Sequence, residues 1–256
     1  MKQYEKLYWP KFQQFGKKAA NLTFNLFYSI EYIGKENIPE NGATIIAPNH
    51  IRKMDGFVIG SSIDRISFGM GKEELYFFPV LKSILTWIGI FPTARSSKYS
   101  QLKEKYQKET INRYLLSKKQ FNYEEYFPKG SIDEIVSDMQ SKLYHDDISI
   151  KTMKSTDIAK YLLRDELMLL IHPEGTRHAD AKIRECKPGI AKITLELYQD
   201  YSLKTAVIPC TIKYHHGFRP KIKVKFGSEL DYDEKTTISE LTANLEEMLK
   251  KQYSAL

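Results

Sequence analysis

The chain is short of the features that mark secreted, membrane-spanning or metal-holding proteins. Two cysteines, Cys186 and Cys210, occur in 256 residues. They make no disulfide framework and have no metal-ligand spacing, so no metal is expected and a reducing, cytosolic setting is. Each reads as a small core residue and not as a nucleophile. No run of about 18 uninterrupted apolar residues is present, so no transmembrane helix is expected. The N-terminus carries lysines but no short apolar stretch followed by a cleavage site, which argues against a secretory signal. No recognised nucleic-acid module appears, and the lysines are scattered among acidic residues, so nucleic acid is not an expected partner.

What is present begins with charge. Lys and Arg number 39 against 32 Asp and Glu, a formal net charge of +7 with a pI near 9.1. That balance points to acidic partners, namely phosphorylated metabolites, an acidic carrier, nucleic acid or an anionic membrane surface, and by itself does not choose among them. The length suits one large α/β domain with a substantial core.

Residues 1–25 mix Tyr4, Tyr8, Trp9, Phe12, Phe15, Leu22 and Phe24 with Lys2, Lys6, Lys11, Lys17 and Lys18. This texture is that of an amphipathic helix at a membrane interface, with Pro10 suited to a first helical position. A helix packing its aromatic stripe on the core fits the same pattern, and the two can hold together. A strand is expected from Phe27 to Ile33, then a turn over 34–42, then the buried strand Ala43–Ala47.

That strand delivers Pro48-Asn49-His50-Ile51-Arg52-Lys53-Met54-Asp55. On an ideal helix residues five apart point in different directions, so pairing His50 with Asp55 needs a turn. The carboxyl end of a strand in an open α/β sheet is where such turns line crevices. The chemistry this pair offers is a histidine general base whose other ring nitrogen donates to a carboxylate; for a lone His-x4-Asp the plainer reading is a satisfied loop histidine beside a helix-capping aspartate. No serine or cysteine nucleophile is required if the substrate supplies a hydroxyl.

Further strands are expected at Ile66–Met70 and around Gly89–Arg95, with Arg95 placed to fork onto a phosphate. Leu75–Phe91 is the most apolar segment, suited to a core helix, an acyl groove or membrane contact. Residues 96–155 are charged and Tyr-rich, with helices expected at 97–119 and 132–145, and read as a helical insertion. A helix to Arg164 and a strand at Leu167–Ile171 then present His172-Pro173-Glu174-Gly175-Thr176-Arg177-His178. If this strand neighbours the one before His50, Glu174 and Arg177 face the same crevice; a simple Glu–Arg loop pair is the plainer expectation. A helix from Ile190 to Tyr201, strands at Ala206–Ile212 and Ile222–Phe226, and a helix from Ser239 to Tyr253 complete the chain.

Taken in order these blocks resemble the glycerolipid acyltransferase family typified by 1-acyl-sn-glycerol-3-phosphate acyltransferases. Asn49-His50-x4-Asp55 is similar to its His-x4-Asp block, Gly89-Ile90-Phe91 through Arg95 to its second, Pro173-Glu174-Gly175-Thr176-Arg177 to its third and Ile208-Pro209 to its fourth. Lys72-Glu73 and Lys187-Pro188-Gly189 are smaller matches, and the resemblance runs from about Phe27 to Phe226 around the insertion.

The resemblance implies an α/β fold with a mixed central β-sheet flanked by helices. The domain would span 26–256, with the helical insertion at 96–155, behind an N-terminal helical segment, 1–25. It implies transfer of a fatty acyl group from acyl-CoA or acyl carrier protein to the hydroxyl of a lysophospholipid or glycerol phosphate, with no cofactor beyond that thioester. His50 would be the base and Asp55 its support, Arg95 and Arg177 would bind the acceptor phosphate, and Glu174, Gly175 and Thr176 would shape the acceptor site. Arg52, His172 and His178 depart from the residues usual in the family at those positions. The enzyme would sit peripherally on the cytoplasmic face of a membrane. A thioester hydrolase using the same pair and a non-catalytic membrane-binding protein are the alternatives.

Overall fold

The branched apolar run before His50 forms the middle of a sheet because all five of its residues are walled in on both faces. The computed structural model describes residues 9–72, 75, 79–93, 155–177, 180 and 182–256. Arg95, His178 and the helices expected at 97–119 and 132–145 lie outside the described residues.

The strands are β1 (Ser29–Ile33), β2 (Thr44–Pro48), β3 (Ser67–Lys72), β4 (Ile90–Thr93), β5 (Met168–Leu170), β6 (Ala206–His215) and β7 (Lys221–Phe226). They form one seven-stranded sheet in the order β1-β7-β6-β2-β5-β3-β4. From β6 to β4 all neighbours are parallel, while β7 runs antiparallel to β6 and β1 lies parallel to β7. The sheet is therefore mixed and flanked by helices, as expected. Thr44–Pro48 is wholly buried, the pattern of a central parallel strand.

Alternation along the strands sends side chains into two cores. Ile45, Ala47, Leu169 and Val207 join one with Leu162, Leu197 and Leu245. Ile46, Met168, Leu170, Ile208 and Ile212 join the other with Val58 and Ile59. The first core is roofed by α4 (Ser155–Arg164), α5 (Gly189–Tyr201) and α6 (Ile238–Ser254), the second by α1 (Pro10–Phe27) and α2 (Asp55–Ser61). Truncating Ile45 or Ile46 to alanine would cost about 2–5 kcal/mol, a large part of a net stability of about 5–15 kcal/mol.

Helix α1 opens as expected, with proline in its first turn after Trp9. It runs through Phe27, the first residue of the segment expected to be strand, so that β1 starts two residues late at Ser29, because the Tyr28 amide still donates to the Phe24 carbonyl before the backbone turns extended. Its inward face is tied down by polar groups. Gln13 is buried, and its Nε2 donates to the carbonyls of Ser67 and Ile88, both at 2.8 Å. Lys17, expected among the outward basic residues, points inward and donates to the carbonyls of Ile63 and Arg65. Burial pulls its ammonium down to about 8 despite Asp64 nearby.

The apolar segment at 75–91 divides its faces. Within it α3 (Pro79–Trp87) buries Leu85, and Phe91 on β4 is buried, while Val80 is 74% exposed. Gly89 turns the chain between them at φ +80, and a Cβ there would stand 2.9 Å from Gln13 Nε2, so only glycine fits. Among the described residues no helix is long and apolar enough to cross a membrane.

Candidate active site

The parallel strands β6, β2 and β5 place their carboxyl ends on one crest, and β6 alone continues past it. Its residues 206–210 pair with β2, and 210–215 pair with β7. Where β2 stops, buried Asn49 replaces the missing ladder. Its amide nitrogen donates to Cys210, its side-chain oxygen accepts from the Ile212 amide at 2.7 Å, and its Nδ2 donates to the Ile212 carbonyl at 3.2 Å. An asparagine side chain can do this because it has the donor and acceptor of a peptide group.

The chain then turns through 50–54 and enters α2 at Asp55. The turn carries His50 and Asp55 together as the spacing required. The Nδ1–H of His50 donates to Asp55 Oδ2 at 3.0 Å. The same oxygen accepts from the amides of Ile51 and Arg52 at 2.6 and 2.7 Å, and Oδ1 accepts from the Tyr214 hydroxyl at 2.5 Å. Asp55 is fully buried, whereas the His50 side chain keeps 19% of its surface exposed. Burial pushes the Asp55 carboxyl upward, but the hydrogen bonds from His50, Tyr214 and the two amides outweigh it and hold the carboxyl below its ordinary range. The aspartate is thus a fixed anion, and the ring it orients offers Nε2 as its proton-accepting nitrogen.

Strand β5 lies beside β2, so the second polar cluster reaches the same crest. His172 stacks on His50, centroids 3.8 Å apart and planes 17° from parallel. Its Nδ1 lies 3.0 Å from the Pro48 carbonyl and 3.3 Å from that of Asn49. Carbonyls only accept, so Nδ1 carries the proton. Burial first, and then the neighbouring His50, lower the His172 imidazole to about 4. A neutral ring therefore backs the one that pairs with Asp55.

Glu174 does not serve the crest merely as half of a loop ion pair. Only 2% exposed, it accepts from the backbone amide of His50 at 3.2 Å and from that of Arg184 at 3.4 Å. Burial raises its carboxyl above the usual range. Gly175 holds the turn at φ +66, a left-handed conformation that disfavours other residues, and donates to the His172 carbonyl. Lys187 ties the turn to the start of α5 by donating to the Pro173 carbonyl. Thr176 is exposed and Arg177 half-buried at the outer end of the turn. Arg52, one of the departures from the family pattern, lays its guanidinium 4.2 Å over the Tyr214 ring.

Two contributors were missed in the sequence. Tyr214 lies beyond the expected end of its strand at Ile212, and only the two-residue repeat continued from Ile212 could have placed it on the same face. His172 was noted as a departure and given no role, since nothing local says that its ring meets His50. Cys186 and Cys210 are both buried and free. Among the described residues no group of three or more His, Cys, Asp or Glu could hold a metal ion.

The profile of the family described as Acyltransferase matches residues 29–143 and 147–213. Among solved structures, the 1-acyl-sn-glycerophosphate (LPA) acyltransferase PlsC from Thermotoga maritima is similar, with a TM-score of 0.60 and 18% identity over 96% of this chain and 78% of that one. At that identity the likeness is one of fold. Among curated proteins no sequence matches.

Proposed function

Because the chain belongs to the acyltransferase family, and is an enzyme of acyl transfer, we propose that it moves a fatty acyl group from a thioester to the hydroxyl of a lysophospholipid or glycerol phosphate. The acceptor that fits best is 1-acylglycerol-3-phosphate, the class named for the T. maritima enzyme of the same fold. The observation that carries the proposal is the His50–Asp55 pair at 3.0 Å, with the carboxylate buried and the imidazole at the surface of the crest.

In this mechanism His50 Nε2 takes the acceptor's hydroxyl proton as the oxygen attacks the thioester carbonyl. Asp55 stabilises the imidazolium that forms. The tetrahedral intermediate collapses with cleavage of the carbon–sulfur bond, and the thiolate leaves with the proton from His50. Glu174 braces the His50 backbone through its amide, which keeps the ring in register with the acceptor. Arg177 and Arg95 bind the acceptor's phosphate, and Gly175 and Thr176 shape the pocket around it. The donor, acyl-CoA or acyl carrier protein, enters as co-substrate, and no metal or further cofactor takes part.

The enzyme works from the cytoplasmic face as a peripheral membrane protein. A two-tailed product does not leave into water, and α1 offers Phe15, Leu22 and Leu26 at 69%, 77% and 73% exposure, with α3 adding Val80, Ile84 and Trp87. Such a face suits the headgroup boundary, where basic residues add about 1 kcal/mol each on an anionic leaflet.

The test is incubation with a long-chain acyl-CoA, or the matching acyl carrier protein, and lysophosphatidic acid, following thiol release and lipid product separately. Stoichiometric thiol and diacyl product are expected. Thiol release without acylated lipid would turn the enzyme into a hydrolase.

A further inference from the structure

The end of β6 that supplies Tyr214 continues into a hairpin that the catalytic scheme leaves unused. His215 pairs with Lys221 as its last rung, and the tip carries Phe218 fully in solvent, at 109% relative exposure. Single exposed apolar residues are ordinary, but this one has company. Arg219 Nη2 donates to the Asn25 carbonyl at 2.6 Å and approaches that of Tyr28 at 3.4 Å, and the Ser29 amide donates to the Pro220 carbonyl at 3.0 Å. These bonds fasten the tip to the end of α1, where Leu22, Leu26 and Phe27 are 77%, 73% and 62% exposed.

We propose that the β6–β7 tip, residues 216–219, is a second lipid contact, inserting Phe218 into an anionic bilayer beside the end of α1. Two further observations select a membrane as the occupant. The hairpin from 213 to 228 contains Lys213, Arg219, Lys221, Lys223 and Lys225 and no Asp or Glu, which complements anionic headgroups. Its apolar tip is also continuous with the α1 face already assigned to the bilayer. The tip stands four residues beyond Tyr214, whose hydroxyl donates to Asp55, and β6 rises past β2 at the crest. Insertion there turns the His50 end of the sheet toward the lipid, so that an acceptor reaches the base without leaving the membrane.

The inference rests on the membrane reading above, and the experiment separates the two. Cys186 and Cys210 are buried, so a cysteine introduced into the full chain can be labelled selectively with a polarity-sensitive fluorophore. Phe218→Cys, Leu22→Cys and, on the opposite side of the sheet, exposed Glu247→Cys are each mixed with phosphatidylcholine–phosphatidylglycerol vesicles containing nitroxide lipid. Blue shift and quenching are expected at 22 and 218 and not at 247. Lipid contact at 22 with an aqueous 218 would overturn the hairpin proposal and leave the membrane reading standing. Aqueous signals at both would end both. A label at 218 that is already shielded without vesicles would mean that the tip packs on another protein molecule, and would overturn the proposal too. In parallel, Phe218→Ser should weaken vesicle binding about 10-fold while turnover of a short-chain, water-soluble acceptor stays unchanged. Unaltered binding would refute the insertion.

Discussion

The turn after β2 and the outer face of α1 answer the same physical question in opposite ways. In the turn, a fully buried carboxylate receives four donors, from His50, Ile51, Arg52 and Tyr214, and Asn49 closes the gap in the ladder. On α1, polar Gln13 and Lys17 point inward while Leu22 and Leu26 stand in solvent. A site that must hold reacting atoms fixes them by satisfying every buried polar group. The outer face of α1, proposed above to meet a bilayer, leaves its large apolar groups in solvent.

Removing the base should have the largest effect. His50→Ala is expected to lose about 100- to 10,000-fold in acyl transfer while still folding, at a stability cost of about 1–3 kcal/mol because buried Asp55 loses one of its four donors. Near-normal turnover by the folded variant would dissolve the distinction between crest and surface. Next is Arg177→Ala, which should weaken use of a phosphorylated acceptor by about 10- to 150-fold, the value of a charge-assisted hydrogen bond of about 1.5–3 kcal/mol. Its dephosphorylated counterpart is the control, and equal losses on both would give Arg177 a structural role.

Tyr214→Phe keeps the ring under Arg52 but takes a donor from Asp55, at a cost of about 1–3 kcal/mol. The Asp55 carboxyl is held below its ordinary 3.8, so the stability it contributes is present above that pH and is lost as pH falls through the lower folded value. The variant should therefore be less stable than the parent at neutral pH, and the gap should close in acid; denaturant titrations at several pH values measure it. His172 has the same sign. Its imidazole is lowered to about 4 from 6.5, so folding stability falls as pH drops between those values, by at most about 1.4 kcal/mol per pH unit. His172→Phe should flatten that slope, and an unchanged slope would mean that the ring is not held neutral.

The smallest effect belongs to the other half of the comparison. Leu22→Ser with Leu26→Ser should weaken binding to anionic vesicles several-fold without altering thermal stability, as read by cosedimentation and calorimetry. Deleting α1 would be a poorer test, because Gln13 and Lys17 satisfy carbonyls at Ser67, Ile88, Ile63 and Arg65 that would be left bare.

Much of the fold was legible because its signals are local. The apolar runs at 43–47 and 206–212 place two central strands, the first to within a residue and the second at its start, β6 continuing three residues further to His215. Helix starts were harder: α6 is opened by a capping box of Thr237 and Glu240, a spacing that the reading of a helix from Ser239 passes over. The order of strands was out of reach, since β1 and β2 are consecutive in the chain yet sit three places apart in the sheet.

By itself the sequence determined the strand that ends just before His50, the need for a turn to join that histidine to Asp55, and the second polar cluster after β5, because each depends on neighbours along the chain. Only the tertiary structure decided that Tyr214 completes the environment of Asp55, that His172 stacks on His50, that Glu174 supports the His50 amide and that Lys17 turns inward. The partners in those contacts are between 46 and 159 residues apart, and pairings at such distances follow from which strands and helices become neighbours, a choice made by the packing of two whole cores and not by any local pattern.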